Sequence, residues 1–285
     1  MIPTEFEYLR ATSLDDALAK LGAAKGEGKL IAGGHSLVPL MKLRLSEPKM
    51  LIDIARIPGL SGITQKDGVI EIGAGTVHHD VASSRLLQAA CPMIAEAAAE
   101  IGDPQVRNRG TVGGSLAHAD PAADYPAVML ALEADIRIKG PRGARTVKAS
   151  EFFQGMFTVD LAADEIITAV QFTPVEAASY AKLHQRASHF AIVGVAAALS
   201  LEHGVIQTAR IGLTGAASHA VRLTEVEQGL IGKQISADNL EAASRLAGAG
   251  LTDLNSDLHA SADYRRSMIP VITKRALIRA VERAH

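Results

Sequence analysis

Two short segments hold the residues with the clearest capacity for chemistry: Ala32-Gly33-Gly34-His35-Ser36 and Thr111-Val112-Gly113-Gly114-Ser115, each joining an apolar run to a tight turn. Adjacent glycines carry no Cβ and take positive φ readily, so successive backbone N–H groups can converge on an anion, and the serine beside each pair adds a hydroxyl. Two such loops suit a diphosphate. Taken singly, the same residues also have a structural use: Ser36 can cap the helix that follows it, and Thr111 and Ser115 can satisfy the backbone of a turn.

Other chemistry finds less support. The dinucleotide fingerprint G-x-G-x-x-G after an N-terminal strand is missing, and Gly73-Ala74-Gly75, the nearest approach to it, lacks the third glycine. His78-His79 and His118-Ala119-Asp120 invite a metal reading, but adjacent histidines point different ways, so no metal site is assigned. No catalytic residue is assigned either, because no serine, histidine and acid order stands out and Cys91 before Pro92 reads as a buried small residue. Asp124 and Asp120 each precede a proline-bearing segment, and Asp124 in particular can cap the helix starting at Tyr125-Pro126.

Composition narrows the function classes. Lys and Arg total 29 against 31 for Asp and Glu, so there is no net field to draw in nucleic acid or an anionic surface. Cys91 is the single cysteine, which excludes an internal disulfide and an all-cysteine metal or iron–sulfur site within one chain. No apolar run of about eighteen residues occurs, and the N-terminal segment with Glu5 and Glu7 does not read as a leader, so a soluble cytoplasmic protein without a transmembrane segment is expected.

The elements that must position these loops read as a mixture. Ser13 caps a helix ending at Gly22, and Leu30–Ala32 forms a strand entering the first loop. Met50–Ile54 and Val69–Ile72 are strands, the latter after an Asp67-Gly68 turn. Helices are expected over 92–101 and 126–134, with strands over 135–139, 145–148 and 165–172. After Pro174 come three longer strands, over 179–185, 193–202 and 205–213, the last two joined by a His203-Gly204 hairpin. Helices over 223–231, 237–246 and 262–282 complete the chain. Strands followed by helices predict an α+β arrangement, a three-stranded antiparallel sheet with a helical layer, after a boundary near residue 175.

Together the two glycine loops, Leu51-Ile52-Asp53-Ile54, Ile72-Gly73-Ala74, Arg107-Asn108-Arg109-Gly110 and the stretch from Tyr180 to Val193 resemble the flavin-binding medium subunit of the molybdenum hydroxylases, over nearly the whole chain. The resemblance implies a two-lobed, PCMH-like FAD-binding domain, with lobes over 1–55 and 56–175, and a C-terminal flavoprotein domain over 176–285. It implies non-covalent FAD, its pyrophosphate met on one side by Ala32 and the backbone of Gly33, Gly34, His35 and Ser36, and on the other by Thr111, Gly113, Gly114 and Ser115. Asp124 would accept hydrogen bonds from the ribityl hydroxyls, Lys182 would lie near the pyrimidine edge of the isoalloxazine, and Leu161 would face the ring. An exposed strand lysine and an ordinary core leucine are the plainer readings of the last two.

The same resemblance places [2Fe–2S] clusters on a small iron–sulfur subunit and a molybdenum–pterin cofactor on a large subunit, in a dimer of heterotrimers. This chain would take electrons from the clusters and pass them to an external acceptor. The single cysteine speaks against the hydroxybenzoyl-CoA reductase branch, whose flavin subunit holds a cluster. A self-sufficient FAD oxidoreductase and a non-redox nucleotide-binding scaffold are the rival readings.

Overall fold

The computed structural model describes residues 2–284. The chain opens with β1 (Glu7–Arg10), α1 (Leu14–Ala23), β2 (Gly28–Ile31), α2 (Leu37–Lys42) and β3 (Met50–Asp53). The three strands form a parallel sheet in the order β1-β3-β2. Ser13 caps α1 as expected, its Oγ accepting from the Asp16 N–H at 3.1 Å. Gly22 does not stop the helix, which runs through it to Ala23.

Next come β4 (Ile63–Lys66), β5 (Val69–Gly73), α3 (His78–Ser83), α4 (Arg85–Ala90), α5 (Pro92–Ala99), α6 (Pro104–Arg107), α7 (Val112–His118) and α8 (Tyr125–Ala131). They are followed by β6 (Asp135–Gly140), β7 (Gly143–Lys148), α9 (Ala149–Phe152), β8 (Phe153–Gly155), β9 (Thr158–Val159) and β10 (Ile166–Phe172). An antiparallel sheet in the order β4-β5-β10-β6-β7 organises this part, so the last strand of the segment lies at its centre. Asp67 and Gly68 both take positive φ, the geometry of a tight hairpin turn.

The remainder contains β11 (Ala178–His184), β12 (Ala191–Glu202), β13 (Val205–Thr214), β14 (Val221–Arg222), α10 (Thr224–Leu230), α11 (Ala237–Ser244) and α12 (Ala262–Glu282). Here the expectation of three strands needs correcting: β14 pairs with β13 at Gly212 and Leu213, so the antiparallel sheet has four strands in the order β11-β12-β13-β14. A two-residue strand leaves no periodic signal, and it forms only because β13 is there to pair with it.

Helices cover both faces of this sheet. Ala196 and Ala198 of β12 belong to the core shared with α8 and α5, while Val195, Ala197 and Leu199 belong to the core under α12. Strand side chains alternate between faces, so one alanine-rich run serves two cores. Every residue of α8 is buried. That helix begins directly after Asp124, which brings the end of the second glycine segment against the C-terminal sheet.

Candidate functional site

The first glycine loop leaves β2 and turns into α2. Its backbone is open: among the described residues, the N–H groups of Gly33, Gly34, His35 and Ser36 have no protein acceptor. Ser36 stands at the N-terminus of α2 without a side-chain capping bond, so the capping use expected for it does not occur. Gly34 takes φ +77°, a conformation that favours glycine.

The second loop is more tied down. Thr111 does cap its helix, its Oγ1 accepting from the Gly114 N–H at 3.1 Å. The Gly113 N–H donates to the Ala74 carbonyl at 2.8 Å and the Ser115 N–H to the Thr111 carbonyl at 3.0 Å. Three of the donors expected on this side are therefore engaged within the protein. Gly113 is buried, and a Cβ there would lie 2.6 Å from the Ala74 Cβ, so its role is to seat α7 on the segment after β5.

The first loop meets, backbone to backbone, the Arg109-Gly110 turn that leads into the second. An ideal Cβ on Gly33 would lie 2.2 Å from the Arg109 carbonyl oxygen and 2.8 Å from the Gly110 Cα. Only glycine permits that approach, and it makes the loops two walls of one cleft. The cleft has a volume of about 680 Å³, within the roughly 300–1,000 Å³ common for ligand and cofactor sites. Ala32, Gly33, Gly34, His35, Ser36, Thr111, Gly113, Gly114, Ser115, Asp124 and Leu161 all line it.

Asp124 is 4% exposed, and its carboxylate does not cap α8. Instead Oδ1 accepts from the Tyr180 hydroxyl at 2.5 Å and from the Lys182 ammonium at 2.8 Å, while Oδ2 accepts from the same ammonium at 3.0 Å. Burial raises the Asp124 pKa and the Lys182 charge opposes it. Lys182 is thus neither an exposed strand residue nor on the cleft wall; its side chain is 0% exposed behind Asp124. Asp120 folds on itself, Oδ1 accepting from the Ala122 N–H at 2.8 Å.

The C-terminal sheet holds this aspartate segment in place. The Gly215 N–H donates to the Pro121 carbonyl at 2.8 Å, the Ala191 N–H to the Ala122 carbonyl at 3.1 Å, and the Thr214 hydroxyl to the Ala123 carbonyl at 2.7 Å. One wall of the cleft is therefore set by strands more than sixty residues further along the chain.

Sequence reasoning missed several lining residues. Phe157 and Phe190 stand half-exposed at the rim, and the His118 ring lies 5.1 Å from that of Phe157. Both phenylalanines sit at tight turns, Phe157 itself at φ +52° and Phe190 after His189 at +62°. An aromatic residue forced to positive φ is a strained position, but nothing in its sequence neighbourhood announces it.

His78 also lines the cleft and was read only as half of an adjacent pair. Its Nδ1 lies 3.2 Å from the Tyr125 hydroxyl. Burial pushes the imidazole down to about 4, and His35 and Arg107 add to the same direction. The ordinary value near 6.5 applies in the unfolded chain, so between about pH 6.5 and 4 the unfolded state binds a proton that the folded state refuses. Stability present above pH 6.5 is then lost on acidification, at most by about 3 kcal/mol over that window. Melting temperatures of the wild type and His78→Gln across the window check this: the wild type should fall more steeply, and parallel curves would exclude it.

The residues present fit a dinucleotide with a polyol linker. A run of free N–H groups suits its diphosphate, a buried carboxyl at the cleft wall suits hydroxyl donors, and the wall carrying Leu161 and Phe157 suits a planar ring. Comparison with known proteins agrees. Residues 4–174 match the family described as the FAD binding domain in molybdopterin dehydrogenase, and residues 178–280 match the CO dehydrogenase flavoprotein C-terminal domain. The carbon monoxide dehydrogenase medium chain of Hydrogenophaga pseudoflava is 41% identical, with 97% of each chain covered. The 6-hydroxypseudooxynicotine dehydrogenase complex subunit alpha of Paenarthrobacter nicotinovorans is 39% identical over 100% of this chain and 97% of its own. Among solved structures, carbon monoxide dehydrogenase from Hydrogenophaga pseudoflava, in the form lacking the Mo-pyranopterin moiety, superposes with a TM-score of 0.95 at 41% identity over 100% of both chains. With both parts matched in order and relatives aligned end to end, the chain belongs to the FAD-binding medium subunits of the molybdenum hydroxylases, the oxidoreductase group of carbon monoxide dehydrogenase and xanthine dehydrogenase.

Proposed function

We propose that this chain holds FAD non-covalently in the cleft, between [2Fe–2S] clusters on a small partner subunit and an external electron acceptor. A large partner would carry the molybdenum–pterin cofactor, in a dimer of heterotrimers. The observation that carries the reading is the contact of the first glycine loop, at Gly33, with Arg109 ahead of the second, which places four unpaired N–H groups on the wall of a dinucleotide-sized cleft. When bound, FAD supplies the exchange between two-electron and one-electron carriers.

The chain's own residues divide the work of binding. The N–H groups of Gly33, Gly34, His35 and Ser36 neutralise the diphosphate together with the Ser36 and Ser115 hydroxyls; Ala32, Gly113 and Gly114 keep the walls free of bulk. Asp124 orients the polyol and Leu161 covers the ring. The lone cysteine is buried, which supports placing the clusters on another chain. No described helix is long and apolar enough to cross a membrane, and a cytoplasmic site is part of the proposal. We place the lobe boundaries near residues 55 and 175.

The visible spectrum of the purified chain, with acid release and chromatography of any yellow cofactor, tests the reading. Released FAD, and partners rich in iron and molybdenum on pulldown, are the expected results. A colourless chain that fails to take up added FAD would overturn it in favour of a scaffold, and turnover of a small substrate without partners would favour a self-sufficient oxidoreductase.

A further inference from the structure

The C-terminal side of the cleft is anchored from behind by one arginine. Arg265 of α12 is 3% exposed, and its Nη1 donates to two backbone carbonyls, that of Ile192 at 2.7 Å and that of Gly215 at 2.8 Å. We propose that Arg265 is a positioning residue for the bound cofactor, acting through the backbone at Ala191 and Gly215 without touching the ligand. The inference rests on the FAD reading.

Local backbone geometry explains why a cation stands there. Strands β11 and β12 pair Leu183 with Val193 and His184 with Ala191, so Ile192 is the extra residue of a bulge. Pairing of β12 with β13 begins only at Gly194, opposite Thr214. Ile192 is left without a partner residue in either ladder, and its carbonyl turns to Arg265. Gly215 follows β13 at φ +83°, and a Cβ on it would lie 2.6 Å from the Ala191 carbonyl oxygen and 2.8 Å from that of Ile192. Two segments are thus crowded together with carbonyls that each need a donor, and one nitrogen with two protons serves both. The Asn255 side-chain amide adds a longer bond to the Gly215 carbonyl, at 3.3 Å.

Stability is a poor account of this arginine. Its Nε is buried with no acceptor, an unmet donor that costs free energy. Its ion-pair partner Asp257, 2.7 Å from Nη2, is 46% exposed, and a pair half in solvent contributes little. What the guanidinium fixes lies one residue from the cleft. The Ala191 N–H holds the Ala122 carbonyl, and the Gly215 N–H holds the Pro121 carbonyl. Ala123 and Asp124 follow on one side, Ser188, His189 and Phe190 precede Ala191 on the other, and all five line the cleft, whereas Arg265 does not. Both parts of that wall therefore share one anchor.

The test compares the wild type, Arg265→Met, Asp257→Asn and Ile272→Ala by FAD titration of the full chain, alone and in the complex it purifies with, and by amide hydrogen exchange of the ligand-free chain. Arg265→Met should bind FAD roughly tenfold more weakly. Its Ala191 and Gly215 amides should exchange about tenfold faster or more, while amides at the centres of β12 and β13 stay protected. Asp257→Asn spares both carbonyl bonds and should match the wild type in both measurements. Ile272→Ala removes a buried side chain of the core under α12; it should lower the melting temperature yet leave FAD affinity and the relative exchange of the two amides unchanged. Should Arg265→Met fail to fold, Arg265→Lys, a cation without the guanidinium fork, should show the same two changes to a lesser degree.

Exchange that rises evenly across the sheet, or an affinity loss in Arg265→Met no larger than in Ile272→Ala, would overturn the proposal and leave the arginine a part of the fold only. Equal losses in Asp257→Asn would move the effect to the ion pair and overturn it as well. A wild type that binds no FAD in either form would overturn the cofactor reading and this proposal with it. A flavin-binding wild type whose affinity ignores Arg265→Met sinks this proposal alone.

Discussion

Gly33→Ala is expected to strip the chain of FAD and to lower its melting temperature. The added Cβ would stand 2.2 Å from the Arg109 carbonyl oxygen and 2.7 Å from its carbon, and both are backbone atoms that cannot rotate away. Ordinary carbon to oxygen contacts begin near about 3.3 Å, so the loops must separate by roughly an ångström. Overpacking of this kind costs about 1–3 kcal/mol. The larger effect is functional: moving this wall displaces the four free N–H groups that the proposed function assigns to the diphosphate. Gly22→Ala is the control, because a Cβ at Gly22 meets nothing within 4 Å and position 22 is helical. Flavin absorbance per protein and scanning calorimetry on both variants check the expectation. A fully flavinated Gly33→Ala protein would show that the loops need not touch to hold the cofactor.

Asp124→Ala is expected to cost more stability than a lost ligand contact would. Read from the sequence as a contact to hydroxyls, Asp124 implies a loss of affinity of about 1–3 kcal/mol with little effect on folding. Its pairing with a fully buried ammonium changes that expectation. Without the carboxylate, Lys182 keeps only the Glu100 carbonyl, and a buried charge left unpaired typically costs about 3–5 kcal/mol. Denaturant unfolding of the ligand-free chain isolates this term from binding. Asp124→Ala combined with Lys182→Met should recover part of the loss, since the orphaned charge is then gone. A single variant as stable as the wild type would mean that the Lys182 ammonium finds another acceptor, such as water.

Much of the fold was legible because it is written locally. Helix α12 was read at its observed limits, since Ser261 caps it and its apolar positions recur at helical spacing. The His203-Gly204 hairpin followed from two residues that tolerate positive φ, observed at +50° and +76°. The glycine loops were visible for the same reason, and they do line one cleft. Ser36 and Thr111 show the limit of such reading: the two hydroxyl residues have the same type of neighbourhood, yet only Thr111 caps its helix. The entry angle of the chain decides between them, and that angle is set by what each loop packs against.

The amino-acid order by itself determined the longer secondary elements, such as α12 and the hairpin of β12 and β13, the two loops with their paired glycines and serines, and the absence of the cysteines an iron–sulfur cluster would need, because each depends on residues within a few positions of one another or on composition alone. Tertiary structure alone decided that Gly33 touches Arg109, that Lys182 answers Asp124 rather than solvent, that β14 joins the last sheet and that the alanines of β12 divide between two cores. Those contacts join residues far apart in the chain, 58 positions for Asp124 with Lys182 and 76 for Gly33 with Arg109. They arise when separate apolar faces are buried together, a condition of the whole chain that no local spacing records.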